Sequence, residues 1–261
     1  MLVDGNYLLH RVLRLENFTI LHTTDGEPTG GIYGVCTLLR SYLWRFGAIQ
    51  RCVVVWDGGH SERRKIIHPE YKANRSEVKS DEDYHRLWHS QRDYLLGMLP
   101  DLGVRQVKIS GKEGDDVLGL LVREYPEEPK VVISDDMDLL QLVGANCGVY
   151  RPIAEKYVTA KNFTEVVGVS AGLFLLLKAI QGDAGDNIPG IDRVGGKTAV
   201  RIVERVQQAV GLTSPKSEDD WMMMITNLVP LACSALSEND SRNASRYKAV
   251  VQNLERVALN V

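Results

Sequence analysis

Short apolar runs alternate with stretches of helical period through the first 150 residues. Met1 to Val3 is an apolar run ending at Asp4-Gly5-Asn6, followed by Leu8, Leu9, Val12 and Leu13 at helical spacing. After a Glu27-Pro28-Thr29-Gly30-Gly31 loop, Ile32, Val35, Leu38, Leu39 and Leu43 recur at intervals of three and four, which predicts a second helix. Cys52 to Trp56 is continuously apolar and stops at Asp57-Gly58-Gly59, the pattern of a parallel strand buried on both faces. Val104 to Ile109 and Lys130 to Ser134 read as two more strands, and Cys147 to Tyr150 as a last one. Between them Asp115 to Arg123 carries Val117, Leu118, Leu120 and Leu121 on a helical stripe, and Met137 to Leu142 begins another helix. Strand–helix alternation predicts an α/β fold with a parallel sheet flanked by helices.

Two regions break the alternation. Residues 60 to 99 are polar and weakly periodic, the composition of an insertion. Leu87, Tyr94, Leu95 and Met98 anchor its second part as a helix, with Leu87 and Trp88 on the packed side. After residue 160 the strand signals stop. Leu173 to Ile180, Lys197 to Val210, Trp221 to Leu236 and Asn243 to Ala258 all read helical. The expected organisation is an α/β core over 1–160, with an insertion at about 60–99, and a helical region over 161–261.

The acids fall where the strands end. Asp4 closes the first strand and Asp57 the second; Glu113, Asp115 and Asp116 follow the third; Asp136 and Asp138 follow the fourth. In an open parallel sheet ligands bind beyond the carboxyl ends of the strands. One aspartate at a strand end is a turn former or a helix cap. Four strands in succession ending this way place seven like charges at one edge, where they repel unless cations sit among them. Oxygen donors without His or Cys select Mg²⁺, with Mn²⁺ as a substitute, over zinc. His85 and His89 share one helical face, but no third ligand accompanies them. Seven carboxylates exceed the needs of one octahedral Mg²⁺. Two ions about 3.5–4 Å apart suit an in-line phosphodiester displacement.

Gln181 to Val203, QGDAGDNIPGIDRVGGKTAVRIV, adds Asp183 and Asp186 and then Gly195, Gly196, Lys197 and Thr198 at a helix start. Free N–H groups at such a start suit a backbone phosphate. The alternative for the stretch by itself is an ordinary loop with an Asp cap and a glycine turn.

Composition changes this picture little. Hydrophobic residues make 44% and charged residues 25% of 261, as in a soluble globular protein. No apolar run reaches the ~20 residues of a membrane span, and the N-terminus lacks the features of a signal peptide. Cys36, Cys52, Cys147 and Cys233 are scattered, without a CxxC, as reduced thiols in a cytoplasmic protein would be. The net charge of −3 argues only weakly against nucleic acid. With nine carboxylates gathered around metal, the 31 lysines and arginines outnumber the remaining acids.

The pieces VDGNYLLHR, GEPTGGIYGV, VVVWDG, RRKIIHPEYKANR, EGDDVLG, SDDMDLLQLV and GDAGDNIPGIDRVGGKTA occur in one order over residues 1 to 205. This collinear set resembles the 5′-nuclease family: flap endonucleases, the 5′–3′ exonuclease domain of bacterial DNA polymerase I, and phage 5′-exonucleases and RNase H. The resemblance implies a PIN-like sheet, a helical arch built from the insertion, and a C-terminal helix-three-turn-helix region that holds duplex. It implies that Asp4, Asp57, Glu113, Asp115, Asp116, Asp136, Asp138, Asp183 and Asp186 are the metal-site carboxylates. Lys72 and Arg75, in YKANR at the foot of the arch, become the catalytic cations that hold the scissile phosphate. Arg64 becomes a second phosphate contact, Tyr71 a base-stacking ring, and Gly30, Gly31 and Gly195 to Thr198 further DNA contacts.

The implied activity is structure-specific 5′–3′ exonuclease and 5′-flap endonuclease cleavage of DNA, with RNA primers in RNA–DNA hybrids left open. The implied protein is a monomer in a bacterial cytoplasm, its own or a phage host's, and either stands alone or is a fragment. The family's hairpin usually carries Pro-Gly where this chain has Asp192-Arg193, and Arg193 adopts φ > 0 less cheaply than glycine. A K⁺ ion held there by main-chain carbonyls is the last implied element. Two alternatives stay open: a non-catalytic structure-specific DNA-binding relative, and a PIN-like ribonuclease, which would lack the GDAGDNIPG region.

Overall fold

The computed structural model describes residues 1–47, 51–73, 82–191, 194–217, 219–221 and 223–224. The predicted alternation is realised as β1 (Leu2–Asp4), α1 (Gly5–Leu13), α2 (Glu16–Thr19), α3 (Gly30–Arg45), β2 (Val53–Trp56), α4 (Glu62–Ile67), α5 (Glu82–Met98), β3 (Arg105–Lys108), α6 (Gly114–Glu124), β4 (Lys130–Ile133), β5 (Cys147–Arg151) and β6 (Lys156–Val158). There follow α7 (Phe163–Val167), α8 (Phe174–Gln181), the two-residue strands β7 (Gly182–Asp183) and β8 (Ile188–Pro189), and α9 (Gly196–Val210).

The main sheet has the order β3-β2-β1-β4-β5-β6. Its first five strands run parallel, and β6 turns back antiparallel on β5. The antiparallel edge was not expected: β6 is three residues long and its Lys156 and Tyr157 are exposed, so it carries no apolar run to read. Strand β1 lies between β2 and β4, so the chain reverses direction across the sheet at its C-terminal end. That reversal is the position where open α/β sheets bind ligands.

Side chains alternate across the short strands and divide the core in two. Val3, Val54, Trp56 and Ile133 face α1, α3 and α5, where Leu9, Val12, Leu39 and Leu95 are fully or almost fully buried. Leu2, Val55, Val132 and Val149 face the other way, onto Val117 and Leu118 of α6. The same second cluster holds Leu173, Phe174, Ile180, Ile202 and Val206, so the helices after residue 160 complete the sheet's second face. Trp88 is buried, as its packed position requires. Two boundaries shift: the helix expected from Met137 is a 3-10 turn over Asp138–Leu142, and the third strand is confined to Arg105–Lys108. Trp221 packs against the second cluster and Met224 lies inside it. Met222, residues 225–236, all of Asn243 to Ala258, and Asp192-Arg193 lie outside the described residues, as do Asn74 and Arg75. Among the described residues no helix is long and apolar enough to cross a membrane.

Candidate metal and nucleic-acid site

The strand-end acids converge at the reversal. Asp4 caps α1, accepting from Tyr7 N at 2.9 Å through one oxygen and from Ser134 Oγ at 3.0 Å through the other. Asp57 accepts from Asn6 Nδ2 at 2.7 Å and from Gly114 N at 2.6 Å, which ties the ends of β1 and β2 to the start of α6. A Cβ on Gly114 would meet Asp57 Oδ1 at 2.8 Å, so glycine is what lets the carboxylate sit on that helix start. Asp115 and Asp116 occupy the first turn of α6, where the helix dipole favours negative charge. Asp136 Oδ1 accepts from Asp138 N at 2.8 Å in the turn after β4.

Oxygens of Glu113, Asp115 and Asp116 lie within 4.8 Å of one another, close enough to share a cation. Burial, followed by repulsion from Asp57 and Asp136, raises the Asp4 carboxyl to about 7. Burial raises Asp115 to about 8 against the pull of Arg64, with Asp116 and Glu113 adding repulsion. Crowded carboxyls at the edge of ionisation, all oxygen donors, fit a hard divalent cation.

Protein cations already stand among these acids. Burial works to raise Glu113, but Lys72 and Arg64 outweigh it and hold the carboxyl below its usual range. Lys72 Nζ donates to Glu113 Oε2 at 2.9 Å. On the far side, Lys178 of α8 donates to Asp183 Oδ2 at 2.8 Å and pairs with Asp138 Oδ1 at 2.8 Å. Burial raises Asp138 to about 6 despite that lysine, whereas the lysine holds Asp183 below its usual range despite burial.

The hairpin of β7 and β8 brings in Asp183 and Asp186. Gly182 has φ of 69°, and a Cβ there would meet Gly190 N at 2.2 Å, so only glycine closes the hairpin this tightly. Asp186 N donates to Asp183 Oδ1 at 3.2 Å. The foot of the insertion docks on this hairpin: Lys72 N donates to Asp186 O at 3.1 Å, Asn187 Nδ2 donates to Glu70 O at 2.9 Å, and His68 Nε2 bonds Asn187 O at 2.8 Å. Lys72 takes φ of 57° to make the turn.

Two residues of the insertion expected to touch DNA lie buried against the acids. Tyr71, expected to stack on a base, is 4% exposed, and its hydroxyl lies 2.9 Å from Glu113 Oε2 and 3.0 Å from Asp186 Oδ2. Arg64, expected on a phosphate, is 5% exposed and spent on carboxylates. The resemblance implied DNA contacts for both, and docking on α6 and the hairpin is what buries them. Gly30 and Gly31 are buried by close packing: a Cβ on Gly30 would meet Phe18 O at 1.6 Å. Gly195, Gly196 and Lys197 are exposed at the open start of α9, and Gly195 caps it without a side-chain bond. His85 and His89 are both exposed.

Sequence reasoning missed Asn6, Ser134, Asp135 and Lys178. Asp135 accepts from Tyr7 OH at 2.5 Å and from Ile153 N at 2.7 Å, and so pins the turn after β4. A signal for Lys178 existed, since a lysine inside the apolar run FLLLKAI needs a buried partner.

A family model described as the N-terminal resolvase-like domain of 5′-3′ exonuclease matches residues 1–168. The 5′-3′ exonuclease of Bacillus subtilis is 31% identical over 216 residues, covering 79% of this chain and 70% of the relative. That of Buchnera aphidicola (from Acyrthosiphon pisum) is 28% identical over 207 residues, covering 78% and 70%. Among solved structures, the D15 flap endonuclease of bacteriophage T5, in a complex with DNA and metal ions, has a TM-score of 0.65 at 23% identity over 98% of each chain, a likeness of fold. With a matching family model over residues 1–168, and strand-end acids gathered at the sheet's reversal, the chain belongs to the 5′-nuclease family of 5′-3′ exonucleases.

Proposed function

We propose that this protein is a Mg²⁺-dependent 5′-nuclease that hydrolyses DNA at 5′ ends and at 5′ flaps beside a single-strand/duplex junction. The observation that carries the proposal is the gathering of Asp4, Asp57, Glu113, Asp115, Asp116 and Asp136 where β1, β2, α6 and β4 meet, with Asp186 joined to Glu113 through the Tyr71 hydroxyl and Asp138 and Asp183 joined to each other through Lys178. These nine would hold two divalent ions. When bound, the ions supply Lewis-acid charge at the scissile phosphodiester and lower the pKa of the attacking water.

The chain's own residues do the rest. Asn6, Ser134 and the start of α6 orient Asp57 and Asp4 through the hydrogen bonds above, so the site is held in shape before substrate arrives. Lys72 carries its charge at the rim of the acid cluster, positioned to meet a phosphate, with Arg75 as its partner in the sequence. The exposed start of α9, with Gly195, Gly196 and Lys197, offers backbone N–H groups and the positive end of a helix dipole to a duplex phosphate, with the half-buried Thr198 beside them. Contacts of this kind read shape and charge, so base sequence matters little. RNA primers paired to DNA belong to the same substrate class, and a K⁺ ion in the 181–203 hairpin would strengthen the duplex clamp. The solved complexes of similar proteins with DNA support this reading.

A 5′-labelled flap substrate tests the proposal. With Mg²⁺ the protein should release a short 5′ product, and EDTA should abolish release. Nicked duplex and RNA-primer substrates run beside it rank the activities. Binding without cleavage of any of the three, in Mg²⁺ or Mn²⁺, would leave only the non-catalytic DNA-binding reading.

A further inference from the structure

The structure points to a role for Arg64 other than contact with nucleic acid. Its guanidinium is fixed by three hydrogen bonds to two carboxylates: Nη1 donates to Glu113 Oε2 at 2.8 Å and to Asp116 Oδ2 at 3.0 Å, and Nη2 donates to Asp116 Oδ1 at 2.8 Å. Asp116 is fully buried, and this fork occupies both of its oxygens. Asp115 Oδ1 lies 3.8 Å from Nη1. The Tyr71 ring stands 5.8 Å from the guanidinium carbon and helps close the site to solvent.

We infer that Arg64 is a positioning residue: a resident cation that neutralises Asp116 permanently and sets the first turn of α6, so that Asp115 faces the ions. Asp116 on this account is the counter-ion of Arg64, which narrows the nine proposed ion-holding acids to the other eight. Arginine suits the task, because its planar fork meets both oxygens of a carboxylate and it stays charged when buried. Arg64 also starts the insertion. Ser61 caps α4 through a hydrogen bond from Arg64 N, and Lys72 follows on the same segment, so one guanidinium fastens the foot of the insertion to the metal-facing helix.

The first half of this inference is independent of the proposed activity, and the half concerning Asp115 rests on it. The test therefore begins without metal. In EDTA, Arg64→Met should lower Tm by about 10 °C, the scale of stranding one partner of a buried ion pair in a chain of this size. Arg64→Met combined with Asp116→Asn should recover much of that loss, because the charge that needed a partner is gone. Arg64→Lys should fall between, since an ammonium lacks the fork. Mg²⁺ should raise the Tm of Arg64→Met by more than it raises that of the wild type, as a divalent ion replaces the missing cation. Additive losses in the double variant, or failure of both variants to fold, would overturn the inference. So would a metal-free loss of flap-substrate binding in Arg64→Lys with a salt slope shallower by about one, the signature of a lost phosphate contact. Lack of nuclease activity in the wild type would sink the proposed function and leave the Tm cycle intact.

Discussion

Lys178 donates to Asp183 across a single turn of chain at 2.8 Å, while the same ammonium stands 2.8 Å from Asp138 in the turn after β4. One buried lysine thereby joins the helical region to the strand-end acids. Lys178→Met should destabilise the metal-free protein by about 3 kcal/mol, because two part-buried carboxylates lose their counter-charge. Urea unfolding in EDTA measures it, and an unchanged midpoint would mean that the lysine is idle.

Stability should depend on pH in a direction set by the crowded acids. Asp4, Asp115 and Asp138 have folded-state pKa values of about 7, 8 and 6, above those of an unfolded chain. The folded state therefore binds protons that the unfolded state has released. The stabilisation is complete below about pH 4 and is lost as pH rises through 6 to 8. Glu113 and Asp183, shifted down, contribute fully above about pH 4.5, and their contribution fades only as pH falls into acid. Between about pH 6 and 8.5 the protein in EDTA should lose on the order of 4 kcal/mol. Saturating Mg²⁺ should flatten or reverse the trend, since the ions favour the ionised acids. Thermal melts at matched ionic strength decide, and a rise in stability with pH in EDTA would contradict the burial of these groups.

Tyr7→Phe removes the hydroxyl shared between Asp135, which it reaches at 2.5 Å, and Arg11, which reaches it at 3.1 Å. The expected cost is about 1–2 kcal/mol, with Asp135 left short of a donor. Asp136 follows directly in the turn that Asp135 holds. The variant should therefore lose kcat on a flap substrate with KM little changed. A change confined to KM would mean that the hydroxyl serves substrate binding.

Lys72→Ala should reduce turnover by about 10²-fold or more, as expected for a charge aimed at a transition state, while duplex affinity falls far less. Its ammonium now lies against Glu113, a partner it would share with the incoming phosphate. Single-turnover cleavage beside equilibrium binding in Ca²⁺ separates the two quantities. Equal losses would place Lys72 in general DNA attachment.

The pattern of the chain alone determined the parallel core, because strands buried on both faces must read as unbroken apolar runs and those runs end at acids. It also determined that the acids would share an edge, since the C-terminal ends of parallel strands point one way. Only the tertiary structure decided which of the acids are spoken for. Arg64 and Tyr71 sit in a polar run that looks exposed, and their burial depends on docking against α6 and the 182–189 hairpin, contacts far apart in sequence. Asp135 and Asp136 are neighbours of one chemical type. The strand's end turns the first toward Tyr7 and Ile153 and leaves the second beside Asp4. The antiparallel β6 went unread for the same reason, since a three-residue edge strand is specified by its partner more than by its own residues.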